Sequence, residues 1–139
     1  MKVFKAFIDT NIPMYAAGQE HPLKARCLEI MRSVANGDLE AYTDTEVFQE
    51  ILYRYFSIKR GELGLQVFDT FSKIMHGAVL PVRFEDMLLA RKLINKASYA
   101  KLSPRDIIHL AVMQNNGIDH IITADRAFEE VEGIRVIRV

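Results

Sequence analysis

Four carboxylates in this chain have the spacing and the neighbours that chemistry needs. Asp9 ends the apolar run of Val3, Phe4, Phe7 and Ile8, and Glu50 adjoins Ile51-Leu52. Asp106 stands in Ser103-Pro104-Arg105-Asp106, and Asp125 lies two residues past Ile121-Ile122-Thr123. Carboxylates gathered in a crevice repel one another and keep their charge only around a cation. Oxygen ligands suit Mg²⁺ or Mn²⁺, which bind through one or two carboxylates together with substrate phosphate. Such a site activates water and stabilises a leaving oxygen, as in-line phosphodiester hydrolysis requires. No Cys or His pair has zinc spacing, and no glycine-rich phosphate loop follows the first apolar run.

Each acid also has a purely structural explanation. Asp125 can cap the short helix that follows it, and Asp106 can complete a capping box with Ser103. Glu50 can pair with Arg54 one helical turn on. For Asp106 or Asp125 alone the structural explanation leads. Asp9 has no cap to serve, and the four together favour function.

The periodicity of the chain shows the elements that must position them. A strand is expected over 3–8, then a short helix opened by Asn11 as its cap, with Pro13 just inside, and ended by Gly18. Leu23, Cys27, Ile30, Met31 and Val34 recur at helical steps until Asn36-Gly37. A second strand is expected over 39–42. Thr43-Asp44-Thr45-Glu46 has the form of a capping box, with Thr43 as the cap and Glu46 answering it. The helix it opens buries Val47, Phe48, Ile51, Leu52, Tyr55 and Phe56, and breaks at Lys59-Arg60-Gly61. Another amphipathic helix spans Leu63 to Ile74. A strand over 78–82, a helix over 84–96 and a polar loop follow. The strongest helix start is Ser103-Pro104, and that helix runs to Asn115-Asn116-Gly117. The last elements are a strand over 120–123, a turn and short helix to Glu130, and a strand over 134–139. Alternation of this kind indicates one α/β domain, 1–139, with a mostly parallel sheet whose strand ends share one rim. In such sheets ligands bind beyond the carboxyl ends of the strands.

Composition narrows the class. Half of the 139 residues are apolar, 26% are charged and the formal net charge is zero. No global field therefore draws the protein to nucleic acid or membrane. The single cysteine, Cys27, rules out an internal disulfide framework and reads as a small core residue. No secretory signal or membrane-length apolar run is visible, so a cytoplasmic location is expected.

Taken in order, Asp9-Thr10-Asn11, Glu50, Ser-Pro-Arg-Asp106-Ile-Ile-His-Leu-Ala and Thr-Ala-Asp125-Arg-Ala-Phe resemble the blocks of a PIN domain. The resemblance covers essentially the whole chain. In size and layout it is similar to the VapC-type toxins of prokaryotic toxin–antitoxin pairs. The resemblance implies a three-layer α/β/α sandwich around a mostly parallel sheet of about five strands. It implies a ribonuclease dependent on Mg²⁺ or Mn²⁺, with Asp9, Glu50, Asp106 and Asp125 as its acidic quartet. Asp9 and Asp106 are the first choice as direct metal ligands, with Glu50 and Asp125 on a second metal or orienting water. Asn11 and Thr123 would support them from behind. A homodimer and a small antitoxin partner are implied as well.

A basic stretch, Arg91, Lys92, Lys96, Lys101 and Arg105, could position an RNA backbone, although for any one of these residues a solvated helix face is the better explanation. Arg105 and Arg126 stand out because each adjoins a candidate acid. Tyr15, Tyr53 and Tyr99 are candidates to stack on bases. His109 is read as a satisfied histidine within the fold, with a phosphate contact as the alternative. The rival functions are an RNA-processing PIN nuclease without an antitoxin and a non-catalytic RNA-binding PIN module. A phosphatase of the haloacid-dehalogenase type is disfavoured because Asn11 stands where its second acid is needed.

Overall fold

Ala6–Ile8 (β1) is the middle strand of a sheet that runs parallel throughout. On one side lie Ala41–Asp44 (β2) and then Val79–Leu80 (β3); on the other lie His120–Thr123 (β4) and then Arg135–Arg138 (β5). The computed structural model describes residues 4–139. Val3, read as part of the first strand, lies outside the described residues.

The helices are Asn11–Ala17 (α1), Lys24–Ala35 (α2), Thr45–Ser57 (α3), Gly61–Ile74 (α4), Phe84–Leu93 (α5) and Pro104–Asn115 (α6). Short 3₁₀ turns follow at Ala97–Tyr99 and Arg126–Glu130. α1 packs on α2 and α4, α3 packs on α4, and α5 packs on α6. These groups form two helical layers around the sheet, as parallel strands with buried faces require. The α/β/α sandwich with five strands is the architecture expected from the sequence.

The sheet's centre is dry because its strands carry only apolar side chains there. Phe7, Ile8, Ile121 and Ile122 are essentially inaccessible to water, and Cys27 is buried as expected. The edges are managed differently. β3 is two residues long and followed by Pro81, while β5 carries Arg135 and Arg138 outward, which discourages further strand pairing.

Several details differ from the sequence reading: β1 begins only at Ala6, β3 is confined to Val79–Leu80, Gly61 opens α4, and Phe56, expected in the buried stripe of α3, is exposed. β2 begins at Ala41 and takes in Thr43 and Asp44, so the helix after it is capped by Asp44 and not by Thr43. Asp44 Oδ1 accepts from the Val47 amide at 3.0 Å, whereas Thr43 turns its hydroxyl to the Ile8 carbonyl at 3.1 Å. Glu46 is thereby released from any capping task. Asn11 does not cap α1: it is the first helical residue, and its side chain is drawn into the strand ends. α5 ends at Leu93, earlier than expected.

Strand order reverses between β1 and β4, since the chain winds outward from β1 to β3 and then crosses to β4 and β5. A crevice opens at that reversal, beyond the carboxyl ends of the strands.

Candidate active site

The register of β1 on β4 pairs Ile8 with Ile122, so Asp9 and Thr123 leave the sheet side by side. There the backbone ladder gives way to side chains. Thr123 Oγ1 donates to Asp9 Oδ2 at 2.7 Å, and Asn11 Nδ2 donates to the same oxygen at 3.3 Å. Asn11 also reaches Thr123 Oγ1 at 3.1 Å and accepts from the Ala124 amide at 3.1 Å. The Thr10 amide donates to Asp9 Oδ1 at 2.8 Å. Asp9 is thus fixed from three sides and 5% exposed.

α6 delivers the second acid. Ser103 caps the helix, its hydroxyl accepting from the Asp106 amide while Asp106 Oδ2 accepts from the Ser103 amide at 3.1 Å. Asp125 similarly accepts from the Ala127 amide through Oδ1 at 2.9 Å. Both structural explanations hold, and neither uses up the residue. Oδ1 of Asp106 and Oδ2 of Asp125 have no protein partner among the described residues.

Glu50 comes from the opposite helical layer. It sits in the second turn of α3, is 6% exposed, and accepts from Thr10 Oγ1 at 2.8 Å. Arg54 Nε lies 2.9 Å from its other oxygen and Arg105 Nη1 lies 3.7 Å away. The Arg54 pair was anticipated only as a surface contact. Because its acid is buried, Arg54 belongs to the site, and burial of Glu50 was the signal that sequence alone could not supply.

All four acids line one cleft of about 630 Å³, with Thr10, Asn11, Met14, Tyr15, Arg54, Lys101 and Arg105 among its other walls. Arg105 also bonds Glu46 at 3.1 Å and lies over the Tyr53 ring. Thr123 stands behind Asp9, and Arg126 lines an adjoining depression, with Glu129 and Arg138, that shares Ala124 and Asp125 with the cleft. Of the basic stretch, only Lys101 and Arg105 reach the cleft; Arg91, Lys92 and Lys96 do not line it. Tyr15 lines it, Tyr53 is exposed beside Arg105, and Tyr99 is buried.

His109 is enclosed completely, with Nδ1 2.7 Å from Asp44 Oδ2. This geometry excludes a phosphate contact. Burial opposes the charge on the ring, but the charge and hydrogen bond of Asp44, with the charges of Asp9 and Asp106, together lift the imidazole to about 9.

Burial is the main reason that Asp9 rises to about 6; the His109 charge and the Thr123 bond pull it down, and Asp106 pushes it up. Among the described residues, no three acidic, imidazole or thiol side chains already surround one point closely enough to hold a metal ion. The donor set nevertheless fits a hard divalent cation in kind: all oxygen, two carboxylate oxygens unpartnered, and an acid whose charge burial disfavours.

Residues 6–134 match the PIN domain family. The chain is 38% identical over 128 residues to ribonuclease VapC13 of Mycobacterium tuberculosis, covering 92% of this chain and 95% of that one. The fold is similar to VapBC2 of Rickettsia felis, solved with a DNA fragment from its promoter, with a TM-score of 0.74, 13% identity and coverage of 98% and 99%. It is also similar to VapC20 of M. tuberculosis, described as a sarcin-ricin-loop-cleaving toxin, with a TM-score of 0.71, 15% identity and coverage of 89% and 92%.

Proposed function

The chain belongs to the PIN domain family, and from that premise we propose that it is a divalent-metal-dependent endoribonuclease, the toxin of a VapBC-type pair. The observation that carries the reading is the convergence of Asp9, Glu50, Asp106 and Asp125 on one cleft at the carboxyl edge of the sheet. The 38% identity to a VapC ribonuclease over nearly its whole length supports it.

Asp9 and Asp106 would hold Mg²⁺ or Mn²⁺, and Glu50 and Asp125 would hold a second ion or orient water. When bound, the ion supplies charge compensation for the phosphodiester and activates water for in-line attack. The protein's own contribution is preorganisation. Asn11 and Thr123 hold Asp9 in one orientation, so that no rearrangement is needed as charge develops. The Ser103 capping box does the same for Asp106. Arg105, at the cleft wall beside Asp106, places the RNA backbone by a phosphate contact, with Arg126 as a more distant one.

One domain, 1–139, carries this activity in our reading, in the cytoplasm, as a homodimer restrained by a small antitoxin. The structure contains no helix long and apolar enough to cross a membrane among the described residues. The deciding assay is cleavage of a mixed single-stranded RNA pool with Mg²⁺, with Mn²⁺ and with chelator, beside Asp9→Asn. Cutting that needs metal and disappears in Asp9→Asn establishes the nuclease. RNA binding without cutting in any condition would favour the non-catalytic module. Cutting by a protein whose genome neighbourhood lacks a small antitoxin reading frame would favour an RNA-processing nuclease.

A further inference from the structure

The buried pair of Asp44 and His109 lies outside the cleft, yet it sits between the elements that carry the acids. Asp44 and His109 are both fully enclosed, and their bond is 2.7 Å long. Asp44 is the last residue of β2 and the cap of α3, so one of its oxygens fixes the helix that bears Glu50. Its other oxygen holds His109, one turn beyond Asp106 on α6. Continuing the β1–β2 register, in which Phe7 faces Tyr42, puts Asp44 beside Asp9. Side chains alternate along a strand, so Phe7, Asp9 and Asp44 share one sheet face. The ring of Phe7 lies 5.3 Å from that of His109, which identifies the face as the one α6 covers. Thr43, of opposite parity, ties β2 to the Ile8 carbonyl immediately before Asp9.

We propose that the Asp44–His109 pair is a positioning device: it ties the cap of the Glu50 helix to the Asp106 helix and so sets their spacing around the divalent cation. This rests on the metal-dependent reading above. A purely packed contact would not need an ion pair here, because buried pairs are often replaceable by apolar side chains at no loss of stability. The cost of this one is visible, since His109 Nε2 has no hydrogen-bond partner among the described residues. What the pair gives is direction, one short bond between the strand end that opens α3 and the helix that bears Asp106.

The test uses the full chain and Mn²⁺ alone, with affinity measured by calorimetric titration well below each variant's unfolding midpoint. Asp44→Asn/His109→Leu removes both charges but keeps the capping oxygen, whereas His109→Asn keeps a donor near the Nδ1 position. Positioning predicts Mn²⁺ binding about 10-fold weaker in the folded double variant and within about 3-fold of the parent in His109→Asn, a difference typical of residues that orient metal ligands. If the double variant does not fold, Asp44→Ser/His109→Met, which keeps a capping hydroxyl but no bond between the two positions, is read in its place with the same expectation. Parental affinity in the double variant, or equal losses in both variants, would overturn the inference. A parent chain that binds no Mn²⁺ would overturn the metal-dependent reading itself, and this inference with it.

Discussion

Thr10 and Glu50 stand forty positions apart, and the Thr10 hydroxyl donates to Glu50 Oε1 at 2.8 Å inside the fold. This bond joins the end of the central strand to the second turn of α3. It lets a buried glutamate remain an acceptor at the cleft without closing every oxygen to a ligand. Thr10→Val keeps the shape and removes the donor. Urea unfolding should show a loss of about 1.5–3 kcal/mol, the usual contribution of a hydrogen bond to a charged acceptor. RNA cleavage should fall with it.

Asp9 gives a prediction with a definite sign. Its folded pKa of about 6 lies above the ordinary value, so folding favours the protonated acid. The associated stability is fully present below the unfolded pKa near 4 and is lost as pH rises through about 6. Without metal, Asp9→Asn should therefore be more stable than the parent at pH 7, by less than about 3 kcal/mol, and the gap should close by pH 4. Added Mg²⁺ should reverse the order by stabilising only the parent. Thermal melts with and without the ion read both effects.

His109 governs the alkaline side. Against burial, Asp44 first and then Asp9 and Asp106 raise its folded pKa to about 9, above the unfolded value. That contribution is complete below about pH 6.5 and disappears as pH rises through about 9. Denaturant melts between pH 6 and pH 10 should show this decline in the parent. Asp44→Asn/His109→Leu should lack it.

Arg105 should behave as a phosphate contact. Arg105→Ala is expected to weaken single-stranded RNA binding alike for all sequences and to lower the salt slope by about 0.7. Arg126→Ala, outside the cleft, should change both less. Titrations of RNA binding at several salt concentrations separate the two.

Gly64 tests the scaffold that carries the chemistry. A Cβ there would stand 2.5 Å from Tyr55 Cβ, where α4 crosses α3. Neither atom is at the end of a flexible chain, so the helices themselves must part. Gly64→Ala should cost about 1–3 kcal/mol in urea unfolding. It should also displace Glu50 enough to reduce cleavage.

The sequence by itself determined the α/β class, the parallel sheet and the candidate acids. Those features are local or periodic: apolar runs of strand length, helical spacing, the Ser103-Pro104 start, and carboxylates placed where elements end. It could not decide the cap of α3, because Thr43 and Asp44 are both good caps, and the choice fell to the Ile8 carbonyl that claims Thr43. Nor could it give Asn11 its part, since a residue that can cap a helix can also bridge two strand ends once Thr123 is brought within 3.1 Å. Arg54 and His109 were misjudged or left open for one reason. Whether a charged side chain is a surface partner, a cleft wall or a buried tie depends on what the far end of the chain packs against it, and only the tertiary structure sets that.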